Sequence, residues 1–198
     1  MYALSCFPHQ AGPRLAHFAD SSPTPGSEVP DVVVYDADGG EARLADVIGR
    51  RPVVLQLGSR SCPVFRYRRF GMQKLQREFA GRVDFLVLYT QEAHPVGSPS
   101  PYSKAEWDLW INRLTGVRLG ATKTLEERRE RAADTVQRLE LDAAVLVDGM
   151  DDAAWSAFGA APSPAFVLDA DGRVVLRQVW VDPSELRPVL RRLLTNSR

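Results

Sequence analysis

Hydrophobic positions in this chain fall into two periods. Val53-Val54-Leu55-Gln56-Leu57 is a nearly continuous apolar run, the pattern of a strand buried on both faces. Val83 to Tyr89 is a second such run. Between them Phe65, Met72, Leu75 and Phe79 recur at helical spacing, which predicts a helix from Pro63 to about Ala80. Proline suits the first helical position, where its missing N–H has no partner to lose. A strand, a helix and a strand over residues 53–89 make a βαβ unit, so the two strands are expected to be parallel neighbours.

The rest of the chain reads around that unit. Residues 1–28 form a Pro-rich leader with little regular structure, and 29–198 a single domain. Asp31 to Tyr35 predicts a short strand closed by the turn Asp36 to Gly40, and Leu44, Val47 and Ile48 fit one helical turn. Pro95, Pro99 and Pro101 open an insertion at about 95–120, in which Glu106 to Leu114 predicts a short helix holding Trp107, Trp110 and Leu114. Thr124 followed by Glu127 is a capping-box start for a charged helix to Leu139. Ala144 to Val147 reads as a strand, Asp152 to Phe158 as a short helix, and Ala165–Leu168 with Val174–Val179 as an antiparallel hairpin. Pro183 opens a final helix.

Composition narrows the function. Lys+Arg and Asp+Glu both number 25, so no bulk charge asks for nucleic acid or an anionic membrane as partner. No apolar run reaches the roughly 18 residues of a membrane span. The opening MYALSCFPHQAGPR lacks the pattern of a signal peptide, and a cytoplasmic protein is the expectation. Two distant cysteines, Cys6 and Cys62, do not make a disulfide framework. No metal-ligand cluster or phosphate loop is visible.

Chemistry concentrates at Cys62. It follows a buried strand and precedes a helix, at the carboxyl edge where open α/β sheets place their sites. A helix start presents unpaired N–H groups and partial positive charge, which favour the nucleophilic thiolate. Arg60 and Arg66 are close enough in sequence to help, and Cys62 is expected to be partly exposed there. The plain alternative is a small buried hydrophobe. His94 ends the loop after the neighbouring strand and is placed to act as acid or base, the alternative being a solvated loop histidine. Pro164 precedes the hairpin, in the position that thioredoxin-like folds give to a cis-proline facing the active cysteine, so Ser163-Pro164 is expected to be cis.

These residues resemble a known family. Val54 to Phe65, with Gly58-Ser59-Arg60-Ser61-Cys62-Pro63 at its centre, resembles the active-site segment of the iodothyronine deiodinases and their bacterial relatives, with Cys62 where the animal enzymes carry selenocysteine. Asp84 to Tyr89 with Glu92-Ala93-His94-Pro95, Thr124 to Arg128, and Val147 to Asp152 with Ala157 to Ala160 resemble further signatures of that family, in order. The same segment is similar to peroxiredoxins through Ser59 and Pro63, although Leu55 replaces their earlier proline. The resemblance implies a thioredoxin-like α/β fold, a central mixed sheet flanked by helices with peroxiredoxin-like N-terminal additions and one insertion. It implies Cys62 as nucleophile and His94 as proton donor or substrate contact. Ser59, Arg60, Pro63, Arg66, Glu92 and Pro164 are the candidates for holding substrate or thiolate. Departures fall on substrate recognition. Arg60 replaces a cysteine, about Thr122 a histidine and Ala165 an arginine, and the glycine-rich turn is missing near Trp180-Val181-Asp182.

Three functions remain in view. The first is reductive dehalogenation of an aromatic small molecule. The second is a thiol peroxidase, and the third a non-catalytic binding module on the same fold. Either enzyme needs no bound cofactor but an external thiol reductant such as glutathione or thioredoxin, since no resolving cysteine lies near Cys62. The oligomeric state, a homodimer included, is open.

Overall fold

The computed structural model describes residues 17–49, 51–103 and 105–196. Among them a seven-stranded sheet has the order β2-β1-β5-β4-β3-β6-β7. The strands are β1 (Val33–Tyr35), β2 (Glu41–Arg43), β3 (Val53–Gly58), β4 (Asp84–Tyr89), β5 (Ala144–Asp148), β6 (Ala165–Leu168) and β7 (Val174–Gln178). The helices are α1 (Leu44–Val47), α2 (Pro63–Glu78), α3 (Trp110–Leu114), α4 (Leu125–Leu139), α5 (Ala153–Ala157) and α6 (Pro183–Asn196).

The mixed sheet follows from the connections. β3 pairs parallel with β4, and β4 with β5, each pair joined through a helix. β6 and β7 form the expected antiparallel hairpin against β3, and β1 runs antiparallel to β5. All of β3 is buried because alternate residues serve two cores. Val54 packs with Phe65, Met72, Leu75 and Phe79 of the α2 side and with Leu186 and Leu190 of α6. Val53, Leu55 and Leu57 pack on the other face with Leu44, Ala154 and Phe158. Helices therefore cover both faces, which is why the central strands read as apolar runs.

Three expectations change. β2 carries the polar triplet Glu-Ala-Arg and gave no strand signal; it forms because it pairs with β1 across the Asp36–Gly40 turn, where Asp36 Oδ1 accepts the Asp38 and Gly40 N–H groups. The insertion helix is shorter than its apolar spacing suggested and begins only at Trp110, since Leu109 is extended and its carbonyl accepts the Asn112 N–H at 2.9 Å. The leader expected over residues 1–28 is packed structure at least from Phe18, which lies in the core against Phe166 and Phe158. Cys6 and His9 lie outside the described residues.

Candidate active site

β3 and β4 end side by side, and the two loops that leave them are laced together. The Thr90 N–H donates to the Gly58 carbonyl at 3.0 Å. Ser59 Oγ accepts the Ala93 N–H and Ser61 Oγ accepts the His94 N–H, each at 3.0 Å. In return Glu92 Oε2 accepts the Ser61 N–H at 2.9 Å, and its Oε1 accepts the Tyr89 hydroxyl at 2.5 Å. The Tyr89 oxygen also accepts the Arg60 N–H at 3.2 Å. Small hydroxyl residues at 59 and 61 thus supply the acceptors that the facing loop's backbone needs when both are buried. Burial first, and the Glu92 carboxylate second, push the Tyr89 phenol well above its ordinary value, so it stays a neutral donor.

Cys62 is the N-cap of α2, with extended backbone, and its N–H donates to the Ser59 carbonyl at 3.1 Å. Pro63 opens the helix behind it. Gly58 sets the approach of that helix: a Cβ there would meet the Phe65 ring at 2.5 Å, so only glycine lets the first turn of α2 sit on the strand end. Helix start and strand end together hold the thiol where the peptide dipoles favour negative charge.

The expected partial exposure of Cys62 is not found: it is 1% exposed and packs with Val64, Phe65 and Ala93. The insertion packs on both loops beside it. Asn112 Nδ2 donates to the Ser61 carbonyl at 2.8 Å, and Trp107 meets the His94 ring edge-on at 5.0 Å between centroids. His94 is 2% exposed with its Nδ1 3.2 Å from the Trp107 carbonyl, which removes the solvated-loop reading of this histidine.

The two arginines separate. Arg60 turns its guanidinium to Asp134 on α4, where it holds that carboxyl below its ordinary value, with Arg138 assisting. Arg66 stays with the thiol. Its Nη1 donates to the Arg60 carbonyl at 2.5 Å and its Nη2 to Asn112 Oδ1 at 2.8 Å. Burial pulls Arg66 below its ordinary value, while electrostatic interaction with Cys62 and Glu92 acts in the opposite sense. Arg60 therefore braces the loop, and Arg66 is the cation in electrostatic contact with Cys62.

Pro164 corrects a further expectation. No described peptide bond is cis, and Ser163-Pro164 is trans. The trans form lets this segment run straight into the sheet: the Pro164 carbonyl accepts the Leu57 N–H at 3.0 Å and the Ser163 carbonyl accepts the Val181 N–H at 2.9 Å. Most X–Pro bonds are trans for the same intrinsic preference.

Sequence reading missed Tyr89, Asn112 and Asp134. Tyr89 reads as the last apolar residue of β4, although a tyrosine three residues before a glutamate in the loop that follows is itself a hydrogen-bonding signal. Asn112 sits between Ile111 and Leu114 and gave no motif. Asp134 is one of many charges on α4, and only the tertiary contact singles it out.

The iodothyronine deiodinase family profile matches residues 14–193. Thyroxine 5-deiodinase of Gallus gallus is 30% identical over 148 residues, covering 74% of this chain and 53% of that protein. The Homo sapiens thyroxine 5-deiodinase is 30% identical over 157 residues, covering 79% of this chain and 46% of its own length. The chain thus spans about half the length of the curated relatives it matches. Among solved structures, the thioredoxin domain of a thiol-disulfide oxidoreductase from Bacteroides vulgatus superposes with a TM-score of 0.58 at 11% identity, over 85% of this chain and 99% of that one. Its likeness shows the fold, which is thioredoxin-like. With the profile covering nearly the whole chain and relatives 30% identical over about three quarters of it, the chain belongs to the iodothyronine deiodinase family.

Proposed function

We propose that this protein is a thiol-dependent oxidoreductase that removes halogen from an aromatic small molecule, with Cys62 as nucleophile. The Cys62 thiolate takes the halogen as a sulfenyl halide, the carbon–halogen pair stays on the ring carbon, and a proton completes the arene C–H bond. A small thiol then displaces halide to give a mixed disulfide, and a second thiol releases the Cys62 thiol and an external disulfide. Glutathione or thioredoxin fits the reductant, and a reducing, cytoplasmic setting is the proposal that goes with it. His94 serves as the proton donor.

The observation that supports this reading best is the ladder between the two loops, in which Ser59, Ser61 and Glu92 hold the residue before Cys62 and the residue His94 in one buried polar cluster. A cysteine filling space alone needs no such cluster. Arg66 and the helix start favour the thiolate, while burial of the thiol opposes it. With Cys62 at 1% and His94 at 2% exposure, substrate reaches the thiol only after surrounding side chains move.

Ser59, three residues before Cys62, and Pro63 after it favour a second reading, a thiol peroxidase. There the thiolate attacks the peroxide oxygen, giving a sulfenic acid and an alcohol or water, and external thiol reduces it. The deciding experiment incubates the protein with an iodinated phenol and, separately, with hydrogen peroxide, each with excess glutathione. Iodide release dependent on Cys62 supports dehalogenation; peroxide consumption without iodide release supports the peroxidase. Neither activity at a measured thiol pKa near 8.5 would leave the fold as a binding module.

A further inference from the structure

Helix α3 is inside out. Trp110 and Leu114 are each 72% exposed, yet Asn112 on the same helix is 1% exposed. A surface helix normally buries its apolar side and shows its polar one. The contacts of the Asn112 amide account for the inversion. Its Nδ2 donates to the Ser61 carbonyl at 2.8 Å, and its Oδ1 accepts Arg66 Nη2 at 2.8 Å. The first contact pins the peptide directly before Cys62, and the second pins the arginine in electrostatic contact with Cys62.

We propose that Asn112 is a positioning residue for Cys62: by holding the Ser61 carbonyl and the Arg66 guanidinium at once, it keeps the cation beside the thiol and the loop before the thiol in register. This rests on the reading of Cys62 as a working thiol. A neutral amide is the side chain that fits. A carboxylate would hold Arg66 but has no donor for the Ser61 carbonyl, and it would repel a thiolate. An aliphatic residue would take the Asn112 donor from the buried Ser61 carbonyl and leave Arg66 Nη2 with only its long contact to Thr115. Arg66 has a further contact with α3, its Nη2 lying 3.4 Å from Thr115 Oγ1, but this is long, and Asn112 supplies the shorter bond.

The charged and titratable groups around the thiol come from four elements. Arg66 lies on its own helix and Arg60 in its loop. Glu92, His94 and Tyr89 come from the end of β4 and its loop. From α4, Asp134 is taken by Arg60, and Arg131 stands 3.9 Å from Glu92. Asn112 adds no charge to this set, so removing it acts on the thiol only through Arg66 and the Ser61 peptide.

The test is the pH profile of Cys62 alkylation by iodoacetamide between pH 5 and 10, in a Cys6→Ser background so that one thiol reports. Asn112→Leu, Arg66→Gln and the double variant are compared with the parent. Changes in access move the plateau rate, whereas changes in the thiol's electrostatics move the midpoint. Asn112→Leu is expected to raise the midpoint, lowering the rate at pH 7 relative to plateau about three- to tenfold, the worth of one such hydrogen bond. The double variant is expected to shift by less than the sum of the two single shifts, since both variants remove the Asn112–Arg66 contact. An unmoved midpoint in Asn112→Leu, or additive shifts in the double variant, overturns the proposal. A parent midpoint at or above about 8.5 instead overturns the reading of Cys62 itself. If Asn112→Leu does not fold, Asn112→Ser, smaller and still polar, is measured against the same expectations.

Discussion

Glu92 accepts the backbone N–H of Ser61 at 2.9 Å, so the carboxylate at the end of one sheet strand fixes the peptide that precedes the thiol at the end of the next. The same carboxylate takes the Tyr89 hydroxyl, and Tyr89 in turn takes the Arg60 N–H. One buried side chain thereby sets the course of residues 60 and 61 into α2, and with it the place of Cys62.

Removing that carboxylate has a cost in stability. Glu92→Ala leaves the Ser61 N–H and the Tyr89 O–H buried without their acceptor, at about 1–3 kcal/mol each. Urea denaturation is expected to show a loss of about 2–5 kcal/mol. Glu92→Gln, which keeps one acceptor oxygen, is expected to lose less. Equal stability of Glu92→Ala and the parent protein would show that the two donors find other partners.

Cys62→Ser is expected to abolish both iodide release and peroxide turnover, because a hydroxyl neither ionises near neutral pH nor cycles through a disulfide or sulfenic acid. Cys6→Ser is expected to leave turnover within a factor of about two, since the proposed cycle draws its second thiol from an external reductant. Steady-state assays with glutathione check both. A Cys6→Ser protein as inactive as Cys62→Ser would make Cys6 a resolving thiol and end the picture of a purely external reductant.

His94→Ala is expected to lower turnover by about 10²–10⁴-fold, the usual range for general acid–base help. The thiol alkylation rate measured alongside separates proton transfer from access, because Trp107 packs on this ring and its release opens the site. Turnover within tenfold of the parent would remove His94 from the mechanism.

Asp148 gives the chain a pH-dependent term remote from redox chemistry. Burial raises its carboxyl from 3.8 to about 6, against the Trp155 and Ala154 N–H groups that favour the charge. The folded state therefore binds this proton more tightly than the unfolded one. The associated stability is fully present below about pH 3.8 and is lost as pH rises through about 6. At most about 3 kcal/mol is involved. Asp148→Asn is expected to gain on the parent protein by up to that amount between pH 4 and pH 8 in paired urea titrations. A difference that stays constant across this range would show that Asp148 keeps an ordinary pKa.

Most of the sheet was legible because its strands are buried on both faces, and such strands spell themselves as apolar runs whatever surrounds them. Val53–Leu57, Val83–Tyr89 and Ala165–Leu168 were readable for that reason, and the edge strand β7 through the turn that joins it to β6. β2 was not, since a polar triplet becomes a strand only when a neighbour offers the ladder. The α4 cap was readable from a local rule: Thr124 Oγ1 accepts the Glu127 N–H at 3.1 Å. The family signatures marked Cys62 and His94 as the residues to examine, because their types and order are local facts.

What the amino-acid order determined by itself was the βαβ frame, the thiol at the start of α2 and the histidine at the end of the adjacent strand, since periodicity, Pro63 and chain direction suffice to place them. What the tertiary structure decided was how those groups are surrounded. It buried Cys62, turned Arg60 away to Asp134 and left Arg66 in electrostatic contact with the thiol. It kept Ser163-Pro164 trans to feed β6, and brought Asn112 onto the Ser61 peptide. These depend on contacts between residues far apart in the chain, and such contacts are set by the packing of whole elements, which no local pattern of side chains records.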